Sequence, residues 1–255
     1  MNLEPVPDFS RIIQAHLRRS DWGDFPDVVI HADESAVKKH PLYVAAKGGD
    51  LEAAEELVID ASPIGALDKI CAVIGDAKPY LLAVHAVESE GRNPIPIVLA
   101  GLLSELLDLP VDSNIVQINQ VSHTGADGYH RLAFPALFGG EIRHEEYFLV
   151  DDFVGQGGTL ANLKGFVESY GARVIGATTL TGKAYSAKLK LSDETLQALR
   201  KKHGTELEQW WIDTFGYGFE RLTESEARYL ARADDAHTVS ARIVEARRKR
   251  DTRIS

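Results

Sequence analysis

Two adjacent carboxylates, Asp151 and Asp152, lie between an apolar run and a glycine-rich turn. The apolar run, residues 147–150, is too short for a helix and predicts a buried strand. Three residues of the turn, Gly155, Gly157 and Gly158, have no Cβ. The backbone can therefore adopt left-handed angles there and bring its N–H groups close to an anion. Thr159 then opens an amphipathic helix, whose first N–H groups and dipole also favour a negative charge. The pattern predicts a phosphate-binding turn beside two acids.

Each group in this segment has an expected partner. We expect the backbone of the turn to hold a phosphate, and the hydroxyl of Thr159 to cap the helix and donate to a phosphate oxygen. Side chains alternate along a strand, so at its frayed end one carboxylate can face the ligand while the other points towards backbone or a metal-bound water. Ribose hydroxyls or hydrated magnesium would satisfy Asp151 and Asp152. A phosphorylated sugar suits this combination of groups.

The segment 147–160 resembles the phosphoribosyl diphosphate (PRPP) signature of type I phosphoribosyltransferases, which has an apolar strand, two acids, a short turn and a closing Gly-Thr. The residues that match by position are Asp151, Asp152, Gly157, Gly158 and Thr159. Gln156 stands where that family usually has Thr, and Gly155 stands where hypoxanthine-guanine phosphoribosyltransferases carry an acid that handles a purine nitrogen. A plain surface turn between a strand and a helix is the alternative, and the acid pair favours the family.

The resemblance implies a reaction and a set of contacts. The phosphoribosyl group of PRPP would pass to a nitrogenous acceptor such as a nucleobase, with release of pyrophosphate. Asp151 and Asp152 would hold the ribose and reach Mg²⁺ through water, while the metal bridges the diphosphate and the ribose hydroxyls. The 5′-phosphate would be held by Gly155, Gln156, Gly157, Gly158 and Thr159. The residues considered contain no evident general base.

A second loop, residues 85–94, joins a predicted strand to a predicted helix, where α/β sheets bind ligands. It looks like the pyrophosphate loop of the same family, and is similar to the Glu-Ser-Arg-Gly loop of adenine phosphoribosyltransferases without matching it. The residues expected to hold the diphosphate are Glu88, Ser89, Gly91, Arg92 and Asn93. A solvated polar turn is the alternative.

Three further residues are expected near the reacting centre. The segment 120–144 is long and polar, which is typical of functional or mobile loops, and in the family the same interval holds the loop that closes over the site. We expect His130 and Arg131 to reach the leaving diphosphate; ordinary loop polarity is the alternative. Lys183 follows a predicted strand and resembles the lysine that faces the base in some purine phosphoribosyltransferases, with a solvated lysine as the alternative.

Composition limits the class of protein. The 255 residues include 28 Lys and Arg against 38 Asp and Glu, a net charge of −10, which opposes nucleic acid or an anionic membrane as a partner. The single cysteine, Cys71, excludes an internal disulfide, and its apolar neighbours predict a buried thiol. No apolar stretch is long enough to span a membrane, and the first residues lack the features of a signal peptide. We expect a cytoplasmic protein.

The predicted fold is a mainly parallel, Rossmann-like α/β sheet, the fold that the resemblance to type I phosphoribosyltransferases implies. A helical hood is expected over residues 1–67, the core over 68–183 and a helical extension over 184–255. Within the core we expect strands at 70–74, 80–84 and 114–119, a helix at 96–107, and a strand–helix–strand unit at 147–180. Trp210 and Trp211 are expected to pack in the core rather than stack on a base or anchor a dimer. Type I phosphoribosyltransferases are usually dimers, so the resemblance implies a homodimer.

The predicted function is Mg-dependent phosphoribosyl transfer. A regulator that binds PRPP or a nucleotide without transferring anything is the alternative, and the large C-terminal extension motivates it. Hydrolysis of PRPP or of a nucleotide is a third possibility. The acid pair and the expected closing loop favour the transferase.

Overall fold

The computed structural model describes residues 9–85, 93–119 and 127–254. The strands are β1 (Val29–Asp33), β2 (Tyr80–Ala83), β3 (Ile115–Gln117), β4 (Phe138–Gly140), β5 (Glu146–Val154) and β6 (Arg173–Gly182). The helices are α1 (Phe9–His16), α2 (Glu34–Lys38), α3 (Tyr43–Lys47), α4 (Leu51–Asp60), α5 (Ile64–Ile74), α6 (Ile95–Leu107), α7 (Gly128–Ala133), α8 (Gly158–Ser169), α9 (Asp193–Phe215), α10 (Glu224–Leu230) and α11 (Ala236–Ile254). Short 3₁₀ turns occupy Ala184–Ser186 and Phe219–Arg221.

The central sheet has four parallel strands in the order β1-β6-β5-β2. β5 and β6 are joined by α8, so the predicted strand–helix–strand unit is confirmed. β5 pairs with β6 as far as Val154, opposite Gly182, so Asp151 and Asp152 lie inside the strand and not at a frayed end. β3 and β4 form a separate antiparallel pair. The parallel α/β sheet is therefore confirmed, and its assignment to the phosphoribosyltransferase fold stays a prediction.

The predicted strand at 70–74 is wrong, because these residues form the end of α5. Ala66 and Ile70 are buried one turn apart, which is the spacing of a helix face, and Gly75 ends the helix at a positive φ of 58°. Cys71, next to Ile70, is exposed, so the predicted buried thiol is also wrong.

The N-terminal segment supplies an edge strand as well as helices. β1 pairs with β6 in the central sheet. The boundary expected between residues 67 and 68 falls inside α5. Residues of the N-terminal segment are therefore part of the same sheet that carries the acid pair.

Side chains alternate along β5 between two apolar clusters on opposite faces of the sheet. Tyr147 and Leu149 belong to the cluster that contains residues of α1, α8, α9 and α11. Phe148 and Val150 belong to the cluster formed with α4, α5 and α6. This alternation is the two-residue period of a strand covered on both sides.

The C-terminal extension is continuous with the first of these clusters. Trp211 is fully buried and contacts Phe215, Tyr217 and Phe219. Trp210 is buried as well, which confirms core packing for both tryptophans. The expected helical extension includes α9, which is interrupted by non-helical angles at Gly204.

Among the described helices, none is both long enough and apolar enough to cross a bilayer. The cytoplasmic location stays a prediction.

Candidate functional site

The turn between β5 and α8 begins the helix with a glycine and not with a side-chain cap. Gly157 is the N-cap of α8 and has a left-handed φ of 79°, and no side chain caps this end. Thr159 lies within the first turn of the helix, so its predicted capping role is wrong. A glycine can adopt positive φ at little cost, and it therefore replaces the hydroxyl cap that the sequence suggested.

The three glycines of the turn make room for other parts of the chain. A Cβ on Gly157 would collide with the side chain of Leu189. A Cβ on Gly158 would lie 2.5 Å from Glu226 Oε1, and one on Gly155 would lie 2.5 Å from Arg131 Nη1. Two of the glycines thus accommodate the C-terminal extension, and Gly155 accommodates a cation.

Hydroxyl groups hold the carbonyl oxygens of the turn. Ser186 Oγ donates to the Gly155 carbonyl at 2.5 Å, and Thr223 Oγ1 donates to the Gln156 carbonyl at 2.6 Å. In a trans peptide the N–H of the next residue points away from the carbonyl. The N–H groups of Gln156 and Gly157 therefore point away from these two hydroxyls.

The acid pair has a cationic partner that the sequence analysis did not identify. Lys47, the last residue of α3, forms an ion pair with the Asp152 carboxylate. Burial lowers the pKa of Lys47, but the attraction of Asp152 outweighs it and the pKa of the ammonium is raised. Lys47 ends a short helix in the segment expected to be a hood, and nothing in its local sequence indicated a contact with β5.

Asp151 is more deeply placed than its neighbour. Its side chain is buried, and Oδ1 accepts a hydrogen bond from the Asp152 N–H at 2.8 Å. Burial, followed by the negative charge of Asp152, raises the pKa of Asp151 well above its usual range. The two carboxylates consequently differ: Asp152 is paired with a cation, and Asp151 is desolvated.

A cavity of about 480 Å³ lies beside the turn. It is bounded by parts of α7, the turn itself, the segment after β6, and α10 with the residues that follow it. The residues that line it are Gly128, Arg131, Gly155, Gln156, Lys183, Tyr185, Ser225, Arg228, Tyr229 and Arg232. Four of these residues are cations, and none of the described lining residues is acidic.

The cavity brings together some of the predicted site residues. Arg131, Gly155, Gln156 and Lys183 all line it, although they belong to three separate stretches of the chain. Lys183 is fixed by its own N–H, which donates to the Val154 carbonyl at 3.0 Å. The structure brings these four residues together beside the turn, and their roles in binding stay predictions.

Other predicted residues are not part of the cavity lining. Asp151, Asp152, Gly157, Gly158 and Thr159 are absent from it.

Two predicted residues have local contacts instead. His130 packs its ring against Phe134, with 4.7 Å between ring centroids. The Asn93 side chain accepts from the Ile95 N–H at the start of α6. Glu88, Ser89, Gly91 and Arg92 lie outside the described residues.

The extension contributes cavity residues that the sequence analysis missed. Arg228 lies in α10 and Arg232 follows it by four residues, while Tyr229 lies between them. A pair of arginines at helical spacing in a chain of net charge −10 was the available signal. The fold was needed to place this pair in the same cavity as the turn.

The donors for a metal ion are few. Within the described residues, no three His, Cys, Asp or Glu side chains come together in a group that could hold one. The acid pair therefore offers at most two adjacent carboxylates, one of which already contacts Lys47.

Comparisons with known proteins give two relatives in sequence. TraN of Escherichia coli is 39% identical over 237 residues, which cover 92% of this chain and 53% of TraN. An uncharacterised protein of Haemophilus influenzae is 42% identical over 151 residues, 58% of this chain and 34% of that protein. The chain spans about half the length of TraN and about a third of the length of the second relative. No family model matches the chain.

Solved structures were also found, among them two adenine phosphoribosyltransferases. An adenine phosphoribosyltransferase from Leishmania donovani is 12% identical, with a TM-score of 0.32 over 70% of each chain. Another adenine phosphoribosyltransferase is 14% identical, with a TM-score of 0.34 over 70% of this chain and 92% of that one. Both TM-scores are below 0.5, so neither structure assigns a function to this chain.

Proposed function

We propose that the chain binds PRPP at the carboxyl ends of β5 and β6 and transfers its phosphoribosyl group to a nitrogenous acceptor, releasing pyrophosphate. One observation carries this proposal: the segment that resembles the PRPP signature folds as strand, turn and helix, and its turn lines a cavity with four cations. Phosphate groups are the natural ligands for a glycine turn and for arginine side chains.

The residues of the cavity suggest where the charge of the ligand would lie. A phosphate beside Gly155 and Gln156 would be within the surroundings of Arg131, whose guanidinium lies against Gly155. Lys183 lines the same cavity from the end of β6. Both cations would neutralise the charge of the phosphate that the turn holds.

The acid pair keeps its proposed role towards the ribose hydroxyls. Asp152 is the better candidate for such a contact, because its side chain is 13% exposed, whereas Asp151 is buried. Mg²⁺ would supply charge neutralisation to the diphosphate, held mainly by the phosphates and reached by Asp151 and Asp152 through water.

A PRPP-binding regulator without transferase activity is the second candidate. Three contacts favour it. Lys47 already occupies the Asp152 carboxylate, Leu189 packs against Gly157, and Glu226 packs against Gly158. These contacts fix the site internally, which suits a protein that senses a ligand through its extension. Transfer and sensing predict the same binding but different turnover.

The test is pyrophosphate release from PRPP with Mg²⁺, measured across purines, pyrimidines and small amines, with PRPP binding followed by calorimetry. Release that depends on one acceptor class supports the transferase and identifies the acceptor. Binding without release for any acceptor supports the regulator. Release at the same rate without any acceptor indicates hydrolysis.

A matched pair of variants connects either result to the cavity. Arg131→Gln removes a cation beside the turn, and Arg173→Gln removes an exposed cation at the opposite end of β6. We expect Arg131→Gln to weaken PRPP binding by about tenfold or more, the value of a lost charge-assisted hydrogen bond. Arg173→Gln should leave binding within about twofold. Equal effects of the two changes would contradict the placement of PRPP in the cavity.

A further inference from the structure

The four cations of the cavity come from two parts of the chain. Arg131 and Lys183 adjoin the glycine turn, through the contact with Gly155 and the backbone bond to Val154. Arg228 and Arg232 belong to the C-terminal extension and line the cavity from α10 and the residues just after it. A single phosphate that contacts Arg131 and Lys183 would leave the two arginines of the extension for another anionic group.

The second pair carries charge that the chain only partly compensates. Arg228 Nε lies 3.6 Å from Glu224 Oε1, but the Arg228 side chain is 54% exposed and the Glu224 carboxylate also accepts hydrogen bonds from Ser192 and Thr195. Arg228 and Arg232 carry like charges and line the same cavity, so both are stabilised when an anionic group binds beside them.

The element that presents these arginines is held firmly. Thr223 and Glu226 form a capping box at the start of α10, and the Glu226 carboxylate receives two hydrogen bonds from the buried Arg19 at 2.8 and 3.0 Å. Tyr229 packs directly on Gly128, where a Cβ would overlap its ring. Since α10 is anchored on both sides, little ordering is needed when a ligand binds there.

We propose that Arg228 and Arg232 form a second phosphate subsite, so that the cavity selects ligands with phosphate groups at two ends. This inference depends on the proposed function in taking the glycine turn as the first phosphate site. In PRPP the two ends are the 5′-phosphate and the diphosphate. A cavity of about 480 Å³ lies within the usual size range of small-molecule sites. The extension is then part of the binding site.

The test compares ligands with one and with two phosphate ends. Ribose 5-phosphate, ribose 1,5-bisphosphate and PRPP are titrated calorimetrically into the full chain and into the double variant Arg228→Gln, Arg232→Gln. Both side chains are exposed, so the variant should fold. We expect the double variant to lose about tenfold or more in affinity for the two-ended ligands and less than about threefold for ribose 5-phosphate.

Two controls separate this subsite from general charge effects. Arg173→Gln, with its side chain 68% exposed and paired with Glu146, tests the effect of removing a distant positive charge. Arg131→Gln should weaken all three ligands, because it adjoins the first phosphate site. An equal loss for one-ended and two-ended ligands in the double variant, or no loss, overturns the second subsite.

The outcomes also separate this inference from the proposed transferase. A wild-type protein that releases no pyrophosphate, while the double variant shows the selective loss, supports the subsite and overturns the transferase. A double variant with unchanged PRPP affinity and turnover overturns the subsite and leaves the transferase supported. A wild-type protein that binds none of the three ligands overturns both.

Discussion

At the residue scale, one neighbour, Lys47, makes the surroundings of the two acids different. Asp151 and Asp152 were identified from residue type and spacing, and they lie in β5 as adjacent side chains in different surroundings. Lys47 could not be assigned to them from the sequence, because an ion pair between distant segments leaves no local periodicity. The chemistry available to Asp152 is thus a property of the fold.

The first prediction concerns the Lys47–Asp152 pair. Lys47→Met leaves Asp152 without its cation beside the buried Asp151, so we expect the free energy of unfolding to fall by about 1–3 kcal/mol. This is less than for a fully buried pair, because the Lys47 side chain is 33% exposed. Denaturant titration measures the loss. Adding Asp152→Asn to Lys47→Met should restore part of it, and strictly additive losses would show that the two groups do not interact.

The same double variant separates binding from stability. With a neutral pair the fold is retained, but the carboxylate proposed to hold the ribose is gone. We expect PRPP affinity to fall by about tenfold or more relative to Lys47→Met alone, by calorimetry. Equal PRPP affinities in the two variants would remove Asp152 from the ribose site.

His31 in β1 gives a prediction for pH dependence. Its ring is buried, Nδ1 shares a 3.1 Å hydrogen bond with Ser62 Oγ, and burial lowers the pKa of His31 to about 4. The unfolded chain takes up the proton near pH 6.5 and the folded chain does not, so stability falls as the pH drops from about 6.5 towards 4. We expect a loss of about 2 kcal/mol between pH 7.5 and pH 5 from this residue.

The measurement compares unfolding free energies at the two pH values. His31→Gln should show a smaller decrease than the wild type, whatever its stability at pH 7.5. His16→Gln, a change at an exposed histidine, is the control and should keep the wild-type decrease. A decrease that persists unchanged in His31→Gln would assign the acid sensitivity to other groups.

At the scale of elements, β5, its turn and α8 were predictable because each has a clear local pattern. An apolar run too short for a helix, a glycine cluster and a helical period follow one another over residues 147–169. The prediction of a strand at 70–74 was wrong for the opposite reason. A short apolar run has no period of its own, and only burial of Ala66 with Ile70 reveals that it belongs to a helix.

The glycines of the turn were located correctly but explained incompletely. Their missing Cβ atoms were expected to admit a ligand, yet Gly157 and Gly158 face Leu189 and Glu226 of the extension. That packing partner comes from a distant part of the chain, where the sequence offered no recognised chemistry. The cavity arginines of α10 were missed for the same reason.

A glycine comparison tests this packing. Gly157 and Gly171 both have positive φ, 79° and 90°, but a Cβ on Gly171 would meet nothing within 4 Å, whereas one on Gly157 would meet Leu189. Gly171→Ala should cost about 1–2 kcal/mol, the strain of a left-handed alanine. Gly157→Ala should cost about 1 kcal/mol or more beyond that, because Leu189 must move. If denaturant titrations gave equal losses of unfolding free energy for the two variants, Leu189 would be able to move aside without destabilising the fold.

At the scale of the whole molecule, three regions of the chain meet at Arg19. Its Nε donates to Asn162 Oδ1 of α8 at 2.5 Å, and its terminal nitrogens donate to Glu226 of α10. Arg19 itself belongs to the N-terminal segment. Hood, core and extension were expected as successive regions, and this network joins them around the helix that follows the glycine turn.

The buried ion pair provides the last prediction. The side chains of Arg19 and Glu226 are 3% and 4% exposed, so Glu226→Gln leaves a buried guanidinium without its counter-charge. We expect a loss of about 3–5 kcal/mol in unfolding free energy. Glutamine can still complete the capping box at this position, so the loss would reflect the missing charge.

Arg200→Gln is the control. Arg200 pairs with Glu208 and its side chain is 44% exposed, so we expect this variant to lose only about 0–1 kcal/mol of unfolding free energy. If the two variants unfolded at the same denaturant concentration, the Arg19 network would not hold the extension against the core. If Glu226→Gln instead causes a large loss of unfolding free energy and also weakens PRPP binding, the contact that anchors α10 also positions Arg228 and Arg232.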